Sequence, residues 1–550
     1  MTITIFFNGT IVSGYTAEGI TSTAMSADAT ALAVRDGRIV AIGADALALI
    51  DQFDPQMIDL DSGWLAPTFG DGHAHPMQGG LETLGPQVHG CTSVEEIVEC
   101  VRQWAESHPD DEWIYGGSYD ATVAPDGLFD ARWLDAACRD RPVVLRASDY
   151  HTVWVNSEAM RRAGIVSETP EPPLGRIPRR DDGTPLGTLQ EPGAVDLLIP
   201  VEPGRSREDR VEAIRIATAH YARLGIGWIQ DAWVEPVDVD AYLEASRVSA
   251  LSVRVNLALR ADPLTWRDQV ESFLDARRAI EANDDPLLTA HTVKVFVDGV
   301  VENHTALLLD DYTDVSGERG MANWSADELT EAAILFDTHG FQLHFHAIGD
   351  GAGRAALDVF EAVEQTNGLR DRRPVIAHVQ LLQPEDRPRF HAIGAIANFE
   401  PLWAQLGAMM VELTLPRIGS ERERQQYPIR SLADDGTAIS FGSDWPVSSA
   451  DWRPGVATAI TRQTGAGYPA DGWTPAERLA QSAALAAYSS GVAWQALAEN
   501  RWGSLTVGSD ADLLWLDRDP RSTPPHELHT ITVRGTWVAG IERTSAHHTR

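Results

Sequence analysis

The chain has 550 residues and the composition of a soluble globular protein, with 43% hydrophobic and 23% charged residues. Its 80 acidic residues outnumber 44 basic ones, and the formal charge of -36 argues against nucleic acids and anionic membranes as partners. No run approaches the ~20 apolar residues of a membrane span, and the opening MTITIFFNGTIVSGY does not resemble a signal peptide. Three cysteines indicate neither a disulfide framework nor a thiolate zinc site, so we expect a cytoplasmic protein.

Strand-like segments open and close the chain, whereas its middle alternates short β-branched runs with helical patterns such as 206–224 and 351–364. That alternation predicts an α/β fold: a (β/α)₈ TIM-like barrel with an inserted subdomain. The N- and C-terminal segments are expected to pack together as a small β-sandwich domain. The predicted divisions are 1–63 for the first part of the sandwich, 64–500 for the barrel and 501–550 for the second part.

Eight candidate core strands can be counted through the middle region, which is the number that closes such a barrel. They lie near 64–69, 227–231, 252–259, 291–297, 341–345, 374–377, 395–399 and 438–441. Between the first two strands runs a long excursion, about 80–205, with strand signals of its own at 113–115 and 142–146. It is too long for one βα loop, and we interpret it as the inserted subdomain.

Ionisable side chains fall where the strands of the barrel are predicted to end, which is where catalytic groups lie in this architecture. DGHAHP places His73 and His75 one residue apart, so that extended backbone would direct both to one metal. Further along come Lys294 in HTVKVFVDG, His346 in QLHFHAIGD, His378 in PVIAHVQ and Asp444 in AISFGSDWP. A single histidine at a strand end is more often a core or loop residue, and Ser-Asp before Trp-Pro could be a turn. The order of the whole set is what favours a metal site.

With these motifs the sequence resembles the amidohydrolase superfamily of metal-dependent hydrolases. Within it, the chain is similar to amidohydrolase family 3, the YtcJ-like branch that includes N-substituted formamide deformylases. The resemblance covers nearly the full chain and rests further on GGSYD at 116–120, DYHTVWVNSEAM at 149–160, HAIGD at 346–350, SDWPV at 443–447 and GSLTVGSDADLLWLD at 503–517.

The resemblance implies one or two divalent ions, zinc by expectation. It makes His73 and His75 ligands of one metal, His346 and His378 ligands of a second, and Lys294 a carboxylated lysine that bridges the two. Asp444 becomes a metal ligand and the general base. Two departures from the family pattern stand out, namely Gly72 where serine is more usual and the bulky segment 300–304 after the lysine strand.

His151 matches a family histidine near the active site, and we expect it to hydrogen-bond the substrate carbonyl or oxyanion, a structural role being the alternative. Five residues beside the motifs are candidates for the substrate pocket: Tyr119, Trp154, His304, Trp403 and Trp445.

The expected function is metal-dependent hydrolysis of a non-peptide C–N bond, most simply in an N-substituted formamide. A cyclic amide, N-acyl group, carbamate or urea would use the same ligands, so substrate class stays open. A non-catalytic metal-binding regulatory protein is the other class, and the loss of a ligand would be its signature, but none is lost. We expect a small-molecule amide substrate and no nucleic-acid or membrane partner. Whether the chain forms a homodimer is left open.

Overall fold

The computed structural model describes residues 3–15 and 29–545. Its strands are β1 Ile3–Ile11, β2 Ala29–Arg35, β3 Arg38–Ile42, β4 Gln56–Asp59, β5 Trp64–Pro67, β6 Phe69–Ala74, β7 Ile114–Tyr119, β8 Val143–Ala147, β9 Thr152–Val155, β10 Thr188–Gln190, β11 Ile226–Val234, β12 Arg254–Arg260, β13 Leu288–Phe296, β14 Gln342–Ala347, β15 Val375–His378, β16 Ile396–Phe399, β17 Ala438–Phe441, β18 Leu513–Leu516, β19 Val533–Val538 and β20 Ile541–Ser545. Its α-helices are α1 Ala44–Leu47, α2 Pro76–Glu82, α3 Val94–Ser107, α4 Ala131–Asp135, α5 Ser157–Ala163, α6 Pro192–Val195, α7 Arg207–Arg223, α8 Pro236–Arg247, α9 Trp266–Asn283, α10 Ala326–Thr338, α11 Asp350–Asn367, α12 Arg387–Ile393, α13 Leu415–Glu423, α14 Ile429–Asp434, α15 Trp452–Thr461, α16 Gln481–Tyr488 and α17 Ser490–Gln495.

Eight parallel strands form the barrel, in the order β17-β16-β15-β14-β13-β12-β11-β6. Helices follow most of these strands, and runs such as Val375–His378 are buried throughout, as expected for strands covered on both faces. The first and last strands meet where the Asp444 N–H donates to the His73 carbonyl at 2.7 Å. The predicted α/β barrel is therefore confirmed, with all of its strand ends on one face.

Both ends of the chain contribute to a second sheet of eight strands, ordered β20-β19-β18-β5-β1-β2-β3 with β4 paired to β1. Phe6, Leu65 and Trp515, from three of these strands, pack in one apolar cluster. The predicted first barrel strand, 64–69, proves to be divided. Trp64–Pro67 pairs with β18 in this terminal sheet, and the barrel strand begins only at Phe69.

The excursion after β6 contains a four-stranded sheet of its own, ordered β10-β9-β8-β7. The strands predicted near 113–115 and 142–146 are confirmed as β7 and β8. The rings of Trp154 and Phe129 pack at a tilt, with their centres 4.8 Å apart, in the apolar core of this unit. We call this unit the insert, meaning the residues between α2 and α7. Across the described parts of the chain, no helix combines the length and apolar character needed to cross a membrane.

Candidate metal centre

The six predicted metal ligands all lie at the carboxyl-terminal face of the barrel. His73 is inside β6, and His75 follows it directly, at the residue before the first turn of α2. The others are positioned by four further strands: Lys294 in β13, His346 in β14, His378 at the end of β15, and Asp444 after β17. Each is at most 5% exposed. His378 and Asp444 also hold left-handed backbone, with φ of 76° and 53°, a strained conformation of the kind that clusters at functional sites.

His73, His75 and Asp444 form the tightest part of the centre, since their potential ligand atoms all lie within 4.8 Å of one another. Asp444 Oδ1 lies 2.8 Å from His75 Nε2 and 3.7 Å from His73 Nε2. Both imidazole nitrogens thus face the same buried carboxylate oxygen. Two imidazoles with a carboxylate are a donor set that suits zinc. The residues present therefore fit a divalent cation.

The loop that carries Asp444 is anchored to β6 by Asp71, a residue that the sequence interpretation did not single out. Asp71 Oδ1 accepts the N–H of Ser443 at 2.9 Å and the N–H of His73 at 3.2 Å. The buried Asp71 carboxylate thus fixes both β6 at His73 and Ser443, the residue before Asp444.

Lys294 is the only lysine in the chain, so the other 43 basic residues are arginines. Its Nζ lies 3.3 Å from His73 Nε2 and 4.6 Å from the centre of the Phe296 ring. Burial lowers the pKa of this amine to about 7. Its burial and its lowered pKa both distinguish Lys294 from a lysine at the protein surface.

His346 and His378 complete the ring of histidines. Their rings are 4.5 Å apart, and the His378 ring is 4.7 Å from that of His73. In this structure His346 Nε2 is 3.1 Å from the Gly299 carbonyl oxygen, and His378 Nδ1 is 2.8 Å from Glu400 Oε2. They thus border the three-residue group without joining it.

Two further buried residues hold the histidines. Glu400 follows β16, and its Oε1 has no hydrogen-bond partner among the described residues. The strand-end rule that predicted the six ligands would also have found Glu400. His344, one layer deeper in the barrel, lies with Nε2 2.8 Å from His73 Nδ1. Such partners orient the ligands of metal sites.

The remaining predicted site residues divide into two groups. His151 and Trp403 line the small cavity at the centre, with His151 5.2 Å from the His346 ring and Trp403 stacked 5.3 Å from His378. His304 is turned to Asp314, with Nε2 2.8 Å from a carboxylate oxygen.

The other three aromatic candidates pack away from the cavities. Tyr119 and Trp154 lie instead in the apolar core of the insert, with ring centres 5.9 Å apart. Trp445 packs on His220 and Tyr221 at 5.3 and 5.7 Å. Proximity to a motif in sequence did not bring these side chains into the pocket.

A larger cavity of about 630 Å³ lies beside the centre, between the insert and the barrel. Tyr150, His151, Trp233 and Phe296 line both this cavity and the small one at the metal centre. Its volume and its mixture of aromatic, aliphatic and charged walls suit a small organic molecule.

Comparison with known proteins agrees with this geometry. A family model described as "Amidohydrolase family" matches residues 56–542. Protein LONG AFTER FAR-RED 3 of Arabidopsis thaliana is 29% identical over 526 residues, which cover 93% of this chain and 88% of that protein. The N-substituted formamide deformylase of Arthrobacter pascens is 25% identical over 531 residues, with coverages of 94% and 95%.

Among solved structures, an uncharacterized metal-dependent hydrolase from Pyrococcus furiosus superposes with a TM-score of 0.72 at 25% identity, covering 94% of this chain and 100% of that one. The family match and this neighbour define a metal-dependent hydrolase. This chain belongs to the amidohydrolase family, which confirms the resemblance drawn from its motifs.

Proposed function

We propose that this protein hydrolyses a non-peptide C–N bond of a small amide, with an N-substituted formamide as its substrate. The buried group of His73, His75 and Asp444, with a cavity of about 630 Å³ beside it, carries the proposal. The similarity to the Arthrobacter pascens deformylase supports the choice of a formamide.

The chemistry follows from where the side chains lie. His73, His75 and Asp444 would hold a divalent ion, zinc in this proposal, with Lys294, His346 and His378 available for a second. The bound ion supplies Lewis-acid activation of water and of the amide carbonyl. Asp444 accepts a proton from the attacking water and returns it to the leaving nitrogen. Water and the formamide thereby become formic acid and an amine.

His151 has a separate part in the proposal. Burial opposes its protonation, but Glu191, whose carboxylate is 2.7 Å from His151 Nδ1, raises the pKa of the ring to about 9. A protonated ring can donate from Nε2 to the substrate oxygen as negative charge develops there. Trp403 forms a flat wall beside His378 against which the small formyl end of the substrate would rest.

The test combines metal analysis with turnover of a substrate panel of N-substituted formamides, acyl amides, cyclic amides, carbamates and ureas. We expect bound zinc and formamide hydrolysis in the wild type. Asp444→Asn should reduce kcat at least 1,000-fold because it removes the proton acceptor and weakens a ligand. The matched control is Asp434→Asn, which changes an exposed carboxylate paired with Arg430 on α14 and should leave kcat unchanged.

Two outcomes would overturn the proposal. One is wild-type protein that neither binds a divalent metal nor hydrolyses any member of the panel. The other is an Asp444→Asn variant that turns over at the rate of its control. Hydrolysis restricted to cyclic amides, acyl amides, carbamates or ureas would support the mechanism and show that the substrate is not a formamide.

A further inference from the structure

Glu191 occupies an unusual position between the insert and the barrel. It lies after β10 at the start of α6, and its side chain and backbone are fully buried. Its φ of 65° and ψ of 160° belong to a region that residues other than glycine rarely adopt. Strain of this kind persists only where the surroundings enforce it, and it points to a function for the residue.

The strained backbone lets Glu191 hold His151 at two points. The Glu191 N–H donates to the His151 carbonyl at 2.7 Å, and Glu191 Oε2 lies 2.7 Å from His151 Nδ1. From the other side, the His151 N–H donates to Asp149 Oδ1 at 2.8 Å. Both the backbone and the ring of His151 are therefore fixed, and Nε2 is the ring nitrogen that Glu191 leaves for a substrate.

The second carboxylate oxygen of Glu191 reaches the barrel. Thr305 donates its hydroxyl to Glu191 Oε1, and Thr305 lies in the loop that follows the lysine strand β13. Gly299 of the same loop comes so close that a Cβ there would lie 2.5 Å from Glu191 Oε1. One carboxylate thus joins His151 of the insert to the loop that follows the strand of Lys294.

Neighbouring amides reinforce this junction. Gln190 donates to Asn303 Oδ1 at 2.7 Å, and Asn303 donates to Thr152 at 3.0 Å. Asn303 belongs to the segment 300–304 that departs from the family pattern, and its side chain is buried. The segment therefore docks the insert onto the barrel.

We propose that Glu191 is a positioning residue, which sets the place and orientation of the His151 ring relative to the metal centre through its bond to Nδ1, with Thr305 fixing the carboxylate. This inference rests on the proposed function insofar as His151 contacts the substrate. A purely structural role, holding the insert on the barrel, is the competing explanation.

A double-mutant cycle in the full-length, metal-loaded enzyme separates the two explanations. Glu191→Ala should lower kcat about 100-fold, a size typical of residues that orient a ligand or catalytic group, while KM changes less than about threefold. In the His151→Ala background the same substitution should change kcat less than about twofold. Glu191→Gln, which keeps an acceptor for Nδ1, should restore about a tenth of the activity.

Equal losses from Glu191→Ala in both backgrounds would overturn the proposal, because the residue would then act independently of His151. Metal content is measured in every variant, and a loss of metal in Glu191→Ala would also count against a role through His151. Glu158→Gln is the control within the insert, since Glu158 pairs with Arg161 at the surface.

A readout independent of turnover keeps this inference separate from the proposed function. In ¹⁵N-histidine NMR, the His151 resonances are assigned by their absence in His151→Ala. Glu191→Gln should shift the His151 Nδ1 resonance even if no amide in the panel is hydrolysed. An unchanged resonance would refute the positioning role, whereas absent turnover with a shifted resonance would refute only the proposed function.

Discussion

Lys294 lies between the His73 imidazole and the face of the Phe296 ring, deep in the barrel. An ammonium there would repel divalent ions, whereas a carbamate is an anionic oxygen ligand. We therefore expect Lys294 to be carboxylated in the metal-loaded enzyme. Protein equilibrated with ¹³C-bicarbonate should show one carbamate carbon signal that Lys294→Arg removes, and this variant should bind about one equivalent less metal.

The single lysine provides the control for this experiment. The α-amino group is the other amine able to form a carbamate, and its signal should persist in Lys294→Arg. If the wild type shows only the signal shared with Lys294→Arg, the lysine is not carboxylated.

The positions of the candidate ligands could be predicted from the sequence because the fold itself brings these side chains together. The carboxyl ends of the strands converge on one face, so the order of the candidate ligands along the chain predicted their proximity. Glu400 was missed although it obeys the same rule. Tyr119 and Trp154 were misplaced because the spacing of a motif does not reveal which face of a strand meets the insert's own core.

Gly72 shows what a family pattern alone cannot explain. A Cβ at this position would lie 2.4 Å from Asn398 Nδ2 and 2.8 Å from Gln495 Oε1. Gln495, from α17, donates to the Gly72 carbonyl at 2.7 Å and fills the space that a serine would need. The departure at Gly72 is thus coupled to a residue more than 400 positions away, outside any local motif.

At the scale of elements, helix α2 begins directly after His75 and packs against the loop of Asp444. Gly79 makes this possible, because a Cβ there would lie 2.3 Å from the Trp445 ring. Trp445 in turn follows Asp444, and its carbonyl accepts the His75 N–H at 2.8 Å. The helix and the proposed metal ligands His75 and Asp444 therefore share one packing contact.

Gly79→Ala should displace Trp445 and, through it, loosen the pairing of His75 with Asp444. We expect about tenfold faster loss of metal to a chelator, with a destabilisation of about 1–3 kcal/mol from overpacking. Gly353→Ala on α11 is the matched control, because a Cβ there meets its nearest neighbour at an ordinary 3.4 Å. Equal metal-release rates in the two variants would contradict this coupling.

The division of the predicted strand 64–69 has a physical reason. An apolar run shows that its residues are buried but not in which sheet, and Trp64–Pro67 with Phe69 forms one such run interrupted only at Thr68. Partners that are distant in sequence determine which sheet each segment joins, since β5 pairs antiparallel with β18 and β6 pairs parallel with β11. Pairing between distant segments is the information that a local pattern lacks.

At the scale of the whole molecule, a buried ion-pair cluster joins the barrel to the terminal sheet. Arg254, at the start of β12, reaches Asp510 at 2.9 Å and also Asp512, both just before β18. All three side chains are at most 7% exposed. Removing one partner of a buried pair leaves uncompensated charge and costs about 3–5 kcal/mol.

Arg254→Gln should therefore loosen the terminal sheet before the barrel. We expect amide hydrogen exchange in β18 and β19 to accelerate about 100-fold, while exchange in β14 and β15 changes little. Arg278→Gln removes an exposed pair with Asp275 and should leave exchange unchanged. Uniform acceleration across both sheets would show that the cluster does not act locally.

The pairing of β5 with β18 also has a consequence for synthesis of the chain. The two strands lie about 450 residues apart. At a synthesis rate of about 5–20 residues per second, β18 is made roughly 20–90 seconds after β5. Throughout that interval the N-terminal half of the sheet presents an open apolar edge on the ribosome. The nascent protein is thus most exposed to aggregation before its last strands emerge, and we expect it to depend then on chaperones.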